Sequence, residues 1–423
     1  MDILHVVHGY YPALGGSERL MQRISENLVA HCGDRVTVYT ANGYNNEAFI
    51  DPSQPVLAPG EFELNGVRVR RFAVFNRLGK PLYHLQRLAY RFGLPGNQYL
   101  RTLYSGPILP GLRRCVEAFE GDVVAATAFP LLHMYTALSA CKRAHKPIVF
   151  HGALHPLNVW GFDRPMIYRA IHQADAYIAN SSYERDYLVE TWQVPSDKIT
   201  VIGVGVEATR FEQVDGSPVR QRYDLDDYPL VAFIGQQGRN KGIDTLILAM
   251  KKVWREMPEA RLLIAGAATH FTSDLHHLIR TQLSSAEQIR LVHLNNFAED
   301  EKPGLFAACD VFAYPSRYES FGIAFVEAWA AGKPVVGCKA GAVSSVVNDG
   351  VDGLLVPLDD PASLSLALLR LLKSPDLRRQ MGRAGRDKVR RRYTWEVITP
   401  LWRQVYERVL DERAKSHYED RPT

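Results

Sequence analysis

Two glutamates eight residues apart, Glu319 and Glu327, stand in the stretch YPSRYESFGIAFVEAWAAGKPVV, Tyr314 to Val336. Between them a Phe-Gly pair precedes IAFVEAWAAG, whose apolar period is helical and which closes on Gly332. A helix beginning at Gly322 leaves the backbone N–H groups of Phe321, Gly322 and Ile323 without intrahelical acceptors, a ready anion site. Glu319 lies on the loop before that helix and Glu327 about one turn inside it. Like charge keeps both carboxylates off a phosphate, but each accepts hydrogen bonds from hydroxyls, and a carboxylate can chelate a vicinal diol. The arrangement suits a molecule with a diphosphate in the middle and a sugar at each end, a sugar nucleotide. The plainer reading is that Ser316 to Glu319 is only the S-x-x-E pattern of a helix cap. The turn GQQGRNKG behind the strand LVAFIG favours the ligand, because its Arg239 and Lys241 bring the positive charge that a diphosphate needs.

Such residues need a frame that gathers strand ends. The first forty residues read strand (ILHVV), glycine turn (YYPALGGSE), helix (RLMQRISENLVA) and strand (DRVTVYT), a βαβ unit and hence a parallel sheet. The apolar runs DVVAAT, PIVFHG, AYIANS and ITVIGVGV follow. The pattern restarts with LVAFIG, its glycine turn, the amphipathic IDTLILAMKKVWREM and the strand ARLLIAG, then RLVHL, DVFAYPS, PVVGC and GLLVP. The chain therefore reads as α/β, two Rossmann-like parallel-sheet domains facing a central cleft, where a ligand would sit beyond the carboxyl ends of the strands. The polar stretch EATRFEQVDGSPVRQRYDLDDYP marks the join, giving domains 1–206 and 207–399. A C-terminal helix from about residue 400 to 423 is expected to pack back on the first.

At 423 residues the chain exceeds one ordinary core, and 46% apolar with 23% charged residues is the balance of a globular protein. A net charge of +4 is too small to argue for nucleic acid. Five scattered cysteines without a CxxC pair read as reduced thiols in a cytosolic protein, not as a disulfide framework or a zinc site. No metal-binding cluster is apparent, basic residues take a metal's place, and no cofactor is expected. The opening MDILHVV carries an early acid and a very short apolar run, unlike a signal peptide. The uncharged stretch Val123–Cys141 is broken by Pro130 and reads as a strand followed by a helix, so no integral membrane segment is expected.

With these residues in view, the chain resembles the family-4 glycosyltransferases of the GT-B fold, retaining enzymes whose E-x7-E motif Glu319 and Glu327 match. YYPALGGSERL, with Gly15 and Gly16, resembles the family's N-terminal glycine loop. ADAYIANSSYERDYL, GVEATRF and DGVDGLLVPLDDPASL resemble further family segments. The resemblance implies that Glu319 contacts the transferred sugar, that Glu327 holds the ribose hydroxyls and that Lys241 neutralises the diphosphate. It also implies that His151, in VFHGALH, lies by the transferred sugar. The chain departs from the family pattern at Gln236, where an Arg is usual, and Arg239 is the candidate to supply that charge as a buried partner of the phosphate. It also departs at Gly203-Val204-Gly205, at GAVSS and at AATA, positions that bear on substrate more than on chemistry. The implied activity is transfer of a hexosyl unit from a UDP- or GDP-sugar to an acceptor hydroxyl. A glycosidase, a non-catalytic sugar-nucleotide-binding assembly subunit and a sugar-nucleotide epimerase of the same fold are the alternatives. The base, hexose and acceptor are not legible.

From Leu64 to Val116 there is no Asp or Glu, yet residues 68–114 carry Arg68, Arg70, Arg71, Arg77, Lys80, Arg87, Arg91, Arg101, Arg113 and Arg114 among many aromatics. PLYHLQRLAYRFGL within it has the pattern of an amphipathic helix. Basic-plus-aromatic composition is what an anionic membrane surface attracts. The expected partner is therefore a lipid-linked or otherwise anionic acceptor, and the expected location the cytosolic face of a membrane, peripherally bound.

Overall fold

The computed structural model describes residues 1–12 and 15–419, without the side chains of residues 416–419. Contacts divide the chain into two compact units, Met1–Gly203 with the segment from Trp395, and Val204–Thr394.

The first unit is built on strands β1 (Asp2–Val7), β2 (Arg35–Ala41), β3 (Gly60–Leu64), β4 (Val67–Phe72), β5 (Val123–Thr127), β6 (Ile148–His151), β7 (Ala176–Ala179) and β8 (Ile199–Val201). They form one sheet in the order β3-β4-β2-β1-β5-β6-β7-β8, parallel throughout except that β3 runs antiparallel to β4. The runs read from sequence as strands are almost wholly buried, as expected where helices cover both faces. The β3–β4 hairpin was not foreseen. Its pairing sets Glu61 and Glu63 opposite Arg70 and Arg68, so the acid-free run of sequence is partly neutralised by the strand just upstream. Helices α1 (Gly16–Cys32), α2 (Gly79–Arg91), α3 (Asn97–Ser105), α4 (Leu132–Arg143) and α5 (Ser182–Trp192) belong to this unit.

The second unit carries β9 (Leu230–Ile234), β10 (Arg261–Gly266), β11 (Leu291–Asn295), β12 (Val311–Tyr314), β13 (Val335–Cys338) and β14 (Gly353–Val356), all parallel, in the order β11-β10-β9-β12-β13-β14. Helix α6 (Ile243–Glu256) follows β9 and helix α7 (Ile323–Ala330) follows β12. The chain then returns to the first unit as α8 (Trp395–Glu419), five residues ahead of the expected start; residues 420–423 lie outside the described residues. Ile398, Trp402, Val405, Tyr406 and Val409 recur at helical spacing and are buried, and α8 packs on α1 and β7.

In each sheet the strand order reverses at one place, β1/β5 in the first and β9/β12 in the second. The crevice outside the carboxyl ends of the strands at such a reversal is where ligands bind in open α/β sheets. Among the described residues no helix is long and apolar enough to cross a membrane.

Candidate active site

In the second unit the loops behind β9 and β12 are stitched together. Gly242, at φ 70°, joins the turn Arg239–Lys241 to α6, and a Cβ there would collide with the carbonyl oxygen of Pro315. Only glycine lets the first loop press on the second. The Arg317 amide donates to the Asn240 carbonyl at 2.8 Å, and the Arg317 guanidinium pairs with Asp244 at 2.8 Å and Asp359 at 2.7 Å. Lys241 is thereby set against Glu319, Nζ to Oε1 2.5 Å, both side chains mostly buried. The Ser316 hydroxyl also lies 2.8 Å from Glu319 Oε1. It caps no helix: α7 starts at Ile323 with Gly322 as its N-cap, so the cap reading of Ser316 to Glu319 does not hold.

Burial works against the charge of Lys241, but the neighbouring Tyr314 and Glu319 outweigh it and hold its pKa above the ordinary lysine value. Burial also raises the pKa of Tyr314, keeping the phenol neutral, so Glu319 supplies the counter-charge. The Tyr314 ring stacks on Phe233, centroids 4.9 Å apart, and forms a floor 5.5 Å from Lys241 Nζ.

Gly322, at φ 96°, lets the chain turn sharply into α7. Among the described residues the amides of Phe321, Gly322 and Ile323 make no backbone hydrogen bond as donors, so the open helix end expected from the sequence is present. One turn in, Glu327 pairs with Lys302 at 2.5 Å. Lys302 opens the short helix Lys302–Ala308, and nothing in its local sequence marks it as a partner.

Arg239 departs from expectation. Its side chain is 75% exposed, pairs with Asp274 at 2.9 Å and lies over Phe271; the buried charge read from the sequence is absent because the turn aims this residue outward. Gln236 is exposed as well. Its neighbour Gln237 is the buried one, and its side-chain amide donates to Gly266 O, Leu294 O and Asn295 Oδ1, tying the ends of β10 and β11 to the loop after β9.

In the first unit His151 ends β6. Its Nδ1 bonds Thr127 Oγ1 and its Nε2 bonds Asn180 Oδ1, each at 2.8 Å, and its ring packs on Trp402 of α8. Burial lowers its pKa to about 4, so the imidazole is neutral. Both ring nitrogens are therefore engaged within the protein. Asn180 is positioned by Glu184, which accepts from the amides of Asn180 and Leu154 and from the Tyr177 hydroxyl.

Three residues that sequence reasoning passed over gather at the β1/β5 reversal. His8 Nε2 pairs with Glu18 Oε1 at 3.0 Å, and the His8 and His133 rings lie 5.8 Å apart. His133 bonds the Thr127 carbonyl, and the Nδ1 atoms of His8 and His133 are buried with no hydrogen-bond partner among the described residues. Gly15 is the N-cap of α1 and Gly16 its first residue, with the Glu18 carboxylate folded over Gly15. Part of that loop, Ala13 and Leu14, lies outside the described residues. Like His151, His8 stands at the end of a strand and before a glycine, a signal legible in the sequence.

Two family models match in series: Glycosyltransferase Family 4 over residues 14–210 and Glycosyl transferases group 1 over residues 218–388. The chain is 33% identical over 230 residues to D-inositol 3-phosphate glycosyltransferase of Segniliparus rotundus, covering 54% of this chain and 51% of that protein. It is 30% identical over 257 residues to the protein of the same name from Stackebrandtia nassauensis, covering 59% and 57%. The chain thus matches little more than half the length of these curated relatives. Anabaena HepE in complex with UDP and glucose superposes with a TM-score of 0.71 at 21% identity, over 96% of this chain and 99% of that one. Trehalose 6-phosphate synthase from Burkholderia multivorans superposes at 0.73 and 15% identity, over 100% and 98%. The paired strand-end loops, the E-x7-E glutamates and the two consecutive family matches lead to one conclusion: the chain belongs to glycosyltransferase family 4 and has the GT-B fold.

Proposed function

We propose that the protein transfers a hexosyl unit from a UDP- or GDP-sugar to an acceptor hydroxyl with retention of configuration, in the synthesis of cell-surface polysaccharide, lipopolysaccharide or glycolipid. The observation that carries this reading is the pair of lysine–glutamate contacts, Lys241–Glu319 and Lys302–Glu327, beside the open amides of α7. The amides and Lys241 take the departing diphosphate, Glu319 the transferred sugar and Glu327 the ribose hydroxyls. Charge that develops on the leaving phosphate meets donors already in place, and that phosphate accepts the acceptor's proton. From the first unit we assign Gly15, Gly16 and His151 to the donor's sugar, as the family resemblance implies. The reading assigns no metal, so turnover is expected to persist in a chelator. The acceptor is lipid-linked or otherwise anionic, a reading that the relatives' name, with its inositol 3-phosphate, supports. It places the enzyme peripherally on the cytosolic face of a membrane.

A thermal-shift screen of UDP, GDP and ADP sugars, followed by mass detection of donor hydrolysis and transfer, tests the reading. Stabilisation by one nucleotide class with turnover of its sugar is expected; no response to any of them overturns it. Glu327→Ala should raise the Kd for the nucleotide by about 10- to 100-fold through loss of charge-assisted bonds to the ribose. Equal affinity for variant and wild type would remove Glu327 from the donor site. Arg239→Ala, by contrast, removes an exposed ion pair and is expected to change donor affinity no more than about fivefold. Loss beyond fiftyfold by isothermal titration would restore Arg239 as a phosphate ligand.

A further inference from the structure

We propose that the exposed side of α2 and the turns at its two ends form a membrane-docking surface whose occupant is a leaflet rich in anionic lipid, an inference that rests on the reading of a peripheral enzyme. Helix α2 buries Gly79, Leu82, Gln86 and Ala89, one stripe at helical spacing. On its outer side Leu85, Leu88 and Phe92 are 52%, 54% and 65% exposed, and Phe75, Leu78 and Leu94 are exposed at the flanking turns. At 3.6 residues per turn these three fall within about 60° of one another, while Lys80, Arg87 and Arg91 fall within about 40° on the adjoining stripe.

A helix that shows solvent an apolar stripe beside a cationic one lies in a bilayer interface, its apolar side chains among acyl chains and its cations among headgroups. The charge favours lipid over a second copy of the chain. Arg77, Arg87 and Arg91 make no ion pair among the described residues, and Arg87 bonds only the Tyr83 hydroxyl, at 3.3 Å. Two such faces pressed together would set unpartnered cations against one another.

The structure also narrows the surface from the ten cations of residues 68–114. Arg101 is buried and donates to the carbonyls of Trp160 and Asp163. Arg68 and Arg70 face the acids of β3, and Arg113 pairs with Glu117. None of these four belongs to the α2 face.

Vesicle flotation of the full chain at low and high salt tests the proposal, with phosphatidylglycerol-containing against pure phosphatidylcholine vesicles. Each surface cation contributes about fivefold to partitioning onto an anionic leaflet, so Arg87→Gln/Arg91→Gln should lower binding roughly 25-fold. Leu85→Ser/Leu88→Ser/Phe92→Ser should abolish it, and Arg113→Gln should leave it unchanged. All are surface changes, and the nucleotide-induced thermal shift reports that the chain is folded. Equal flotation with both vesicle types, no flotation with either, or α2 variants that bind as wild type would each overturn the proposal. So would a sedimentation-velocity dimer that the triple serine variant dissolves, since a second copy would then own the face. Salt-sensitive flotation by a chain that turns over no sugar nucleotide would sink the transferase reading and leave this one standing.

Discussion

Lys241→Met is expected to lower kcat/KM for glycosyl transfer by about 10³, the scale on which removing one well-placed donor to developing charge is felt. Lys241 is held in place by its neighbours: Glu319 at 2.5 Å, Tyr314 beneath, and a loop that Gly242 and Arg317 lock to the end of β12. Glu319→Ala should likewise depress turnover while leaving nucleotide Kd within a few fold. The single variants carry a second cost. Removing one partner of a buried ion pair leaves the other charge uncompensated, at about 3–5 kcal/mol of stability. Lys241→Met/Glu319→Gln removes both charges, and its thermal midpoint should recover towards wild type while its activity does not. A folded Lys241→Met enzyme within tenfold of wild-type kcat/KM would remove the lysine from the chemistry.

The second large effect is on stability. His5, His133 and His151 are fully buried in the first unit, and burial presses their pKa values down to about 3, 3 and 4. In the unfolded chain each titrates near 6.5. Their contribution is complete above pH 6.5 and is lost as pH falls towards 4, because unfolding then takes up protons that the fold refuses. Glu184 opposes them: burial raises its pKa to about 7, so its contribution is present below about pH 4.5 and lost as pH rises to 7. Three protons against one leave a net slope of about 2–3 kcal/mol per pH unit near pH 5.5. Hydrogen exchange of β1 and β6 amides at pH 5, 6 and 7, corrected for intrinsic rates, should show the first unit opening more readily as pH falls. Glu184→Gln should steepen the trend by about 1.4 kcal/mol per pH unit, and a flat profile in wild type would refute the assignment.

The strands were legible because runs such as LVAFIG and ARLLIAG are apolar on both faces, and a parallel sheet between helices demands that. The open end of α7 was legible because its parts are neighbours in sequence. What escaped was long-range. Lys302 stands 25 residues before Glu327, and only the packing of a separate helix brings it there. Arg239 faces outward where a buried charge was expected, while Gln237, which had drawn no expectation, is buried, since local turn geometry decides which side chain faces inward and composition does not. Charge read along the chain misled for the same reason. Residues 64–116 contain no acid, yet an antiparallel hairpin lays Glu61 and Glu63 across Arg70 and Arg68. Its Asn65-Gly66 turn between GEFEL and VRVRRF was the available signal.

The return of α8 to the first unit has a bearing on synthesis. The second unit is one uninterrupted stretch, whereas the first needs residues 401 positions apart, Tyr406 reaching His5 at 3.1 Å, and Trp402 also packs on His151. On the ribosome the second unit can therefore complete itself while the first still waits, its groove for Ile398, Trp402 and Val409 open to water. A nascent chain stalled or cleaved before Trp395 would carry one finished half and one sticky half, the state in which chaperones would hold it and proteases would find it.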